Sequence, residues 1–122
     1  MRVFSPTDRL ALSVPGRQAW DIVSGRTGAQ EATLRYVEIP PAGEATSERR
    51  QHLHRDVEEV MWVISGEGLA TGADGSTPVS AGCVIHVPAN EPHMTRNVGR
   101  EPLRMVCFFP TADIGSRTEE PV

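Results

Sequence analysis

Apolar and polar residues alternate along this chain in short runs, and nearly every run is closed by glycine or proline. The run Ala32-Thr33-Leu34-Arg35-Tyr36-Val37-Glu38-Ile39 stops at Pro40-Pro41, which predicts a strand with a sharp end, since proline has no amide to offer a ladder. The pattern recurs in Glu59-Val60-Met61-Trp62-Val63-Ile64, closed by Ser65-Gly66-Glu67-Gly68, and in Leu69-Ala70-Thr71. After the turn Gly72-Ala73-Asp74-Gly75 come Thr77-Pro78-Val79, then Cys83-Val84-Ile85-His86-Val87 before Pro88, and Leu103 to Phe109 before Pro110. Trp20-Asp21-Ile22-Val23 predicts an edge strand. Short strands with turn signals at roughly 8–12-residue spacing describe an all-β sandwich or barrel.

The composition agrees. Eleven glycines and ten prolines among 122 residues interrupt helices repeatedly. The length suits one domain, and such a chain buries roughly two thirds of its unfolded surface, enough for a core without disulfides. Residues 1–29 predict N-terminal strands or an arm able to exchange in a dimer, 30–112 the barrel, and 113–122 a flexible tail. A net charge of −4 argues against a general nucleic-acid binder, which carries a basic excess. Met105-Val106-Cys107-Phe108-Phe109 is strand-sized, far from the ~20 apolar residues of a membrane helix. The first eight residues lack the apolar core of a secretion signal, so a cytoplasmic protein is expected. Cys83 and Cys107 are too few for a disulfide framework and are read as reduced, buried and inert.

The chemistry concentrates in two clusters. In Gln51-His52-Leu53-His54-Arg55-Asp56-Val57-Glu58-Glu59, a strand would place His52 and His54 on one face, about 6.6 Å apart along the backbone. Two such imidazoles can converge on one ion. In the following strand Glu59, Met61 and Val63 share a face, and Glu58, Val60, Trp62 and Ile64 the other. A carboxylate on an apolar face is costly unless it meets a cation or a donor, so Glu59 is the inward acid and Glu58 the solvated one. Trp62 should face away from the site. The second cluster runs from Gly82 to Asn97, where Pro88, Asn90 and Pro92 build a turn that leads into His93.

The spacings His52-x-His54-x4-Glu59-x6-Gly66 and Gly82-x5-Pro88-x-Asn90-x2-His93-x3-Asn97 resemble the two motifs of the cupin superfamily. That resemblance implies a double-stranded β-helix, or jelly-roll barrel. It also implies one divalent metal ion per chain on His52, His54, Glu59 and His93. Two departures stand out: the loop between Gly43 and His52 is longer than usual, and Asn90 replaces the usual turn glycine. Asparagine tolerates the left-handed conformation best after glycine, so the turn should survive.

A lone His-x-His is more often a loop accident than a metal site; the spaced acid and the third histidine change that balance. Three nitrogens and one carboxylate would leave positions open on an octahedral ion, unlike the closed tetrahedral sites of structural zinc. The expected function is therefore a metal-dependent enzyme on a small organic molecule, in its strongest form an Fe(II)-type dioxygenase. Alternatives are a metal-dependent isomerase, lyase, decarboxylase or cyclase without oxygen, and a non-catalytic small-molecule-binding cupin. Iron leads, with Mn, Ni, Co or Zn also compatible. Glu59, His86 and Tyr36 are candidate proton carriers, though His86 fits a structural role better. Arg35, Met61, Arg96 and Phe109 are candidate substrate contacts, with only one of Arg35 and Tyr36 pointing inward. Arg49 and Arg50 could gather an anion at the mouth. A homodimer is expected, with no nucleic-acid or membrane partner.

Overall fold

The computed structural model describes residues 1–44 and 50–120. Eleven strands make up almost all the regular structure, and no α-helix occurs among the described residues. In chain order they are β1 (Leu10–Leu12), β2 (Gln18–Val23), β3 (Thr33–Ile39), β4 (Leu53–His54), β5 (Glu59–Ser65) and β6 (Glu67–Gly72). Then follow β7 (Gly75–Ser80), β8 (Val84–Val87), β9 (Met94–Asn97), β10 (Leu103–Phe109) and β11 (Thr118–Glu119). One layer is a six-stranded antiparallel sheet in the order β1-β2-β3-β10-β5-β8. The other is built from β7-β6-β9 and the pair β11-β4, linked by the antiparallel bridge His52↔His93. This is the jelly-roll barrel.

Alternation sets which side chains fill it. In β5 and β10, Met61, Val63, Leu103, Met105, Cys107 and Phe109 point inward and are buried. Their partners from β3 are Val37 and Ile39. Each large aliphatic or aromatic side chain so buried contributes about 1.5–3 kcal/mol. Gly66 makes the β5–β6 turn at φ 96°, and a Cβ there would lie 2.8 Å from the Pro102 carbonyl oxygen. Pro78 is tolerated because β7 is an edge strand.

Two expectations need correction. Residues 20–23 are not an edge strand, because Leu10-Ala11-Leu12 pairs outside them in the register Leu10↔Asp21. Within 1–29 the expected N-terminal strands are present: β1 and β2 extend the sheet formed by β3. Residues 113–120 of the expected tail are not free, and 121–122 lie outside the described residues. Ile114 is buried, and β11 pairs with β4 in the register Thr118↔His54, while Arg55 and Glu119 form an ion pair across this ladder. Arg49 lies outside the described residues, and Arg50 is exposed. Among the described residues, no helix is long and apolar enough to cross a membrane.

Candidate metal centre

His52, His54, Glu59 and His93 meet at the end of the barrel where β5 begins and β10 ends. Two loops bring them there. Asn90 adopts the left-handed conformation, φ 69°, as expected of an asparagine in that turn. Its amide donates to the His54 carbonyl at 2.9 Å, and its Oδ1 accepts from the Asp56 amide at 3.0 Å. His52 and His93 exchange backbone bonds of 3.1 and 2.9 Å. The four ligand-capable atoms lie within 4.8 Å of one another, and the three ring centroids are 4.4–5.2 Å apart.

Hydrogen bonds settle where the ring protons sit. His93 Nδ1 is 2.8 Å from the Glu91 carbonyl oxygen, which only accepts, so Nδ1 carries a proton. Thr118 Oγ1 donates to the Ile114 carbonyl at 2.9 Å, so toward His54 Nδ1, 3.0 Å away, it accepts. In the neutral rings both Nε2 atoms therefore present lone pairs to the cluster. Glu59 Oε1 lies 3.0 Å from His93 Nε2 and 3.3 Å from His54 Nε2. Yet the buried His54 Nε2 has no hydrogen-bond partner. Lone pairs and a carboxylate converging in a buried space repel unless a cation sits among them. The donor set thus fits a divalent ion, and three nitrogens with one oxygen suit Fe, Mn, Co, Ni or Zn alike.

The electrostatics are consistent. Burial alone would raise the Glu59 pKa, but the His54 and His93 imidazoles beside the carboxyl overcome it and hold it at about 2. Burial, then repulsion from His93 and His54, lowers His52 to about 3, so at neutral pH it offers a lone pair. Burial also opposes charge on His93, but Glu59 and the Glu91 carbonyl outweigh it and raise that pKa. A carboxylate so firmly ionised is a poor base, so Glu59 suits ligation better than the proton carriage expected of it. Cys107, free and buried in the same cavity, is kept as a thiol by burial first and by the Glu59 charge second.

A cavity of about 400 Å³ opens onto the cluster. Met61, Phe109 and Arg35 line it. Tyr36 does not: its hydroxyl donates to Glu38 at 2.8 Å and its ring stacks on Trp20 outside the barrel. His86 also faces out, 58% exposed at its side chain, with Nε2 2.8 Å from Glu58. Arg96 is exposed on β9, between the buried Thr95 and Asn97. These three are removed from the candidate site.

Sequence reasoning missed Arg17, Asp21 and Thr118. Asp21 shares a face of β2 with buried Ala19, a spacing visible in the sequence. Arg17, beside Pro15-Gly16, and Thr118, in the polar tail, show no such signal.

Comparison with known proteins agrees with this architecture. A relative from Methanocaldococcus jannaschii, the uncharacterized protein MJ1618, is 33% identical over 69 residues, covering 57% of this chain and 53% of its own length. The aligned stretch thus spans about half of that relative. Among solved structures, the polyketide cyclase RemF from Streptomyces resistomycificus matches all of this chain and 86% of its own, with TM-score 0.78 and 20% identity. The nucleoside dehydratase Pac13, from Streptomyces, covers 99% of this chain and 91% of its own, with TM-score 0.77 and 15% identity. An oxalate decarboxylase from Lactobacillus farciminis covers 93% of this chain and 33% of its own, with TM-score 0.77 and 22% identity. These structures share the fold. The sequence profile of the cupin domain matches residues 35–109, and with that match over more than half its length the chain belongs to the cupin family.

Proposed function

We propose that this protein is a divalent-metal-dependent enzyme that acts on a small organic anion by polar chemistry: decarboxylation, elimination or isomerisation. One observation carries the reading. The three-histidine, one-glutamate cluster, with its unpartnered His54 Nε2, shares a cavity with two guanidiniums, Arg17 and Arg35. His52, His54, Glu59 and His93 would hold the ion, which when bound supplies a Lewis acid for a substrate oxygen. The chain's own groups do the rest. His52 stays uncharged, while Thr118 and the Glu91 carbonyl keep the Nε2 lone pairs of His54 and His93 aimed inward. The guanidiniums offset negative charge on the bound molecule, and Val37, Met105 and Phe109 exclude water from one side. The solved proteins of similar fold include a decarboxylase, a cyclase and a dehydratase, which supports polar over oxidative chemistry.

The Fe(II) dioxygenase expected from the sequence is the second reading, and the apolar wall of Met61, Met105 and Phe109 is what favours it. Oxygen decides between them. Protein reconstituted separately with Mn, Fe(II), Co, Ni and Zn is incubated with keto acids, hydroxy acids, diketones, catechols and thiols, in air and under nitrogen. Turnover of an acid under nitrogen supports the polar reading. Turnover only with iron and stoichiometric oxygen uptake replaces it with the second, and tight binding without turnover replaces both with a binding protein.

A further inference from the structure

The two guanidiniums of the cavity are held differently. Arg35, on the inner face of β3, gives its Nε to Asp21 Oδ1 at 2.9 Å, with side chains 15% and 7% exposed. Its guanidinium carbon sits 5.6 Å from the centre of the Phe109 ring. Arg17 lies in the turn between β1 and β2, where Gly16 takes φ 69°. One of its terminal nitrogens donates to the Pro15 carbonyl at 3.0 Å, and among the described residues it forms no ion pair. Partial burial, and then the charge of Arg35, lower its pKa, the sign of a cation held where charge is costly. It remains charged at any ordinary pH.

The charges can be counted. Arg35 and Asp21 offset each other, and Glu59 is turned to the imidazoles. Arg17 remains. With a divalent ion on the cluster, the cavity carries an excess of positive charge that a neutral ligand leaves uncompensated. A carboxylate matches it in sign and in shape, because its two oxygens fit the planar fork of a guanidinium.

We propose that Arg17 anchors a carboxylate. The ligand is a small carboxylic acid: its carboxylate takes the remaining N–H groups of Arg17, backed by Arg35, and a second oxygen of the same molecule faces the histidine–glutamate cluster. This assignment rests on the reading of that cluster as a metal site. The cavity volume of about 400 Å³ and the apolar Leu12 and Val14 in its lining favour a small acid with a short carbon chain.

Calorimetry tests this without any turnover. Wild-type, Arg17→Gln and Arg17→Lys proteins are loaded with Zn(II), and their metal content is measured first. Each is titrated with pyruvate, malonate and glycolate, and with the neutral amides of the same acids. At least one acid should bind wild type with its amide ten times weaker or more. Arg17→Gln should weaken that acid by about 10–100-fold at unchanged metal content, and Arg17→Lys should recover part of the loss. If no acid outbinds its amide, or if Arg17→Gln binds the acid like wild type, the assignment is wrong. A wild-type protein that takes up no ion contradicts the metal reading instead. The same titrations on the ion-free protein then decide the Arg17 assignment by the same acid-to-amide difference.

Discussion

Replacing Thr118 by valine removes one hydroxyl from β11 and should be felt at the metal site. The hydroxyl is committed to the Ile114 carbonyl as donor and to His54 Nδ1 as acceptor. Valine keeps the shape and leaves Nδ1–H without a partner. A fully buried unsatisfied donor costs about 1–3 kcal/mol. His54 is buried but Thr118 is exposed, so water can reach Nδ1 once the hydroxyl is gone, and the lower end applies. The ion-free protein should therefore lose about 1 kcal/mol, or roughly 3–6 °C in Tm. The effect on metal is larger for a separate reason. Without the hydroxyl, the ring proton can move to Nε2, where Glu59 Oε1 waits 3.3 Å away, and an incoming ion must reverse that step. Loss of such an outer partner typically weakens metal affinity about 10–100-fold. With water as a partial substitute, about tenfold is expected, or ~1.4 kcal/mol. Competition with a chromophoric chelator measures it, and Thr118→Ser should bind like wild type. If Thr118→Val holds metal as tightly as wild type, or if the serine variant is equally weak, the hydroxyl does not orient His54.

Acidity should loosen the ion through His93. Its raised pKa means that a proton competes for the site below that value, so affinity falls as pH drops through it, by up to about tenfold per unit. His52, lowered to about 3, adds nothing until far lower pH. Flat affinity from pH 8 to 5 would contradict this. Gly66→Ala combines a positive φ with a Cβ placed 2.8 Å from the Pro102 carbonyl, whereas Gly82→Ala, at φ 91°, meets nothing within 4 Å. Chemical denaturation should show about 1 kcal/mol lost for Gly82→Ala and clearly more for Gly66→Ala; equal losses would show that the close approach is unimportant. The proposed homodimer would use the outer face of β5, β8 and β10, where Trp62, Ile64, Val84 and Phe108 are exposed. Light scattering should give twice 13.3 kDa, with Trp62→Glu reverting to monomer; a monomeric wild type would end that proposal.

Much of the site was readable because it rests on local pattern. Glu59, Met61 and Val63 fall on one face by alternation alone, and the burial of Glu59 at 4% exposure beside Glu58 in solvent follows from it. His86 was harder. Alternation sets it opposite Ile85 and Val87 but does not say which side is inside. The register Val60↔His86 decides that, because Val60 lies on the outer face. Arg35 and Tyr36 posed the same problem until Tyr36↔Val106 placed the tyrosine outward. Thr118 reaches His54 across 64 residues, and Arg17 enters the cavity through a turn, so neither follows from any periodicity. Local alternation was legible, and long-range register was not.

The most direct test of the account is the metal content of the purified protein after exhaustive dialysis, with and without its histidines. Wild type should retain close to one divalent ion per chain by elemental analysis, while His52→Ala and His93→Ala, still folded by circular dichroism, should each lose most of it. Stoichiometric metal in both variants, or none in wild type reconstituted with any of the five ions, would contradict the assignment of His52, His54, Glu59 and His93 as the metal centre.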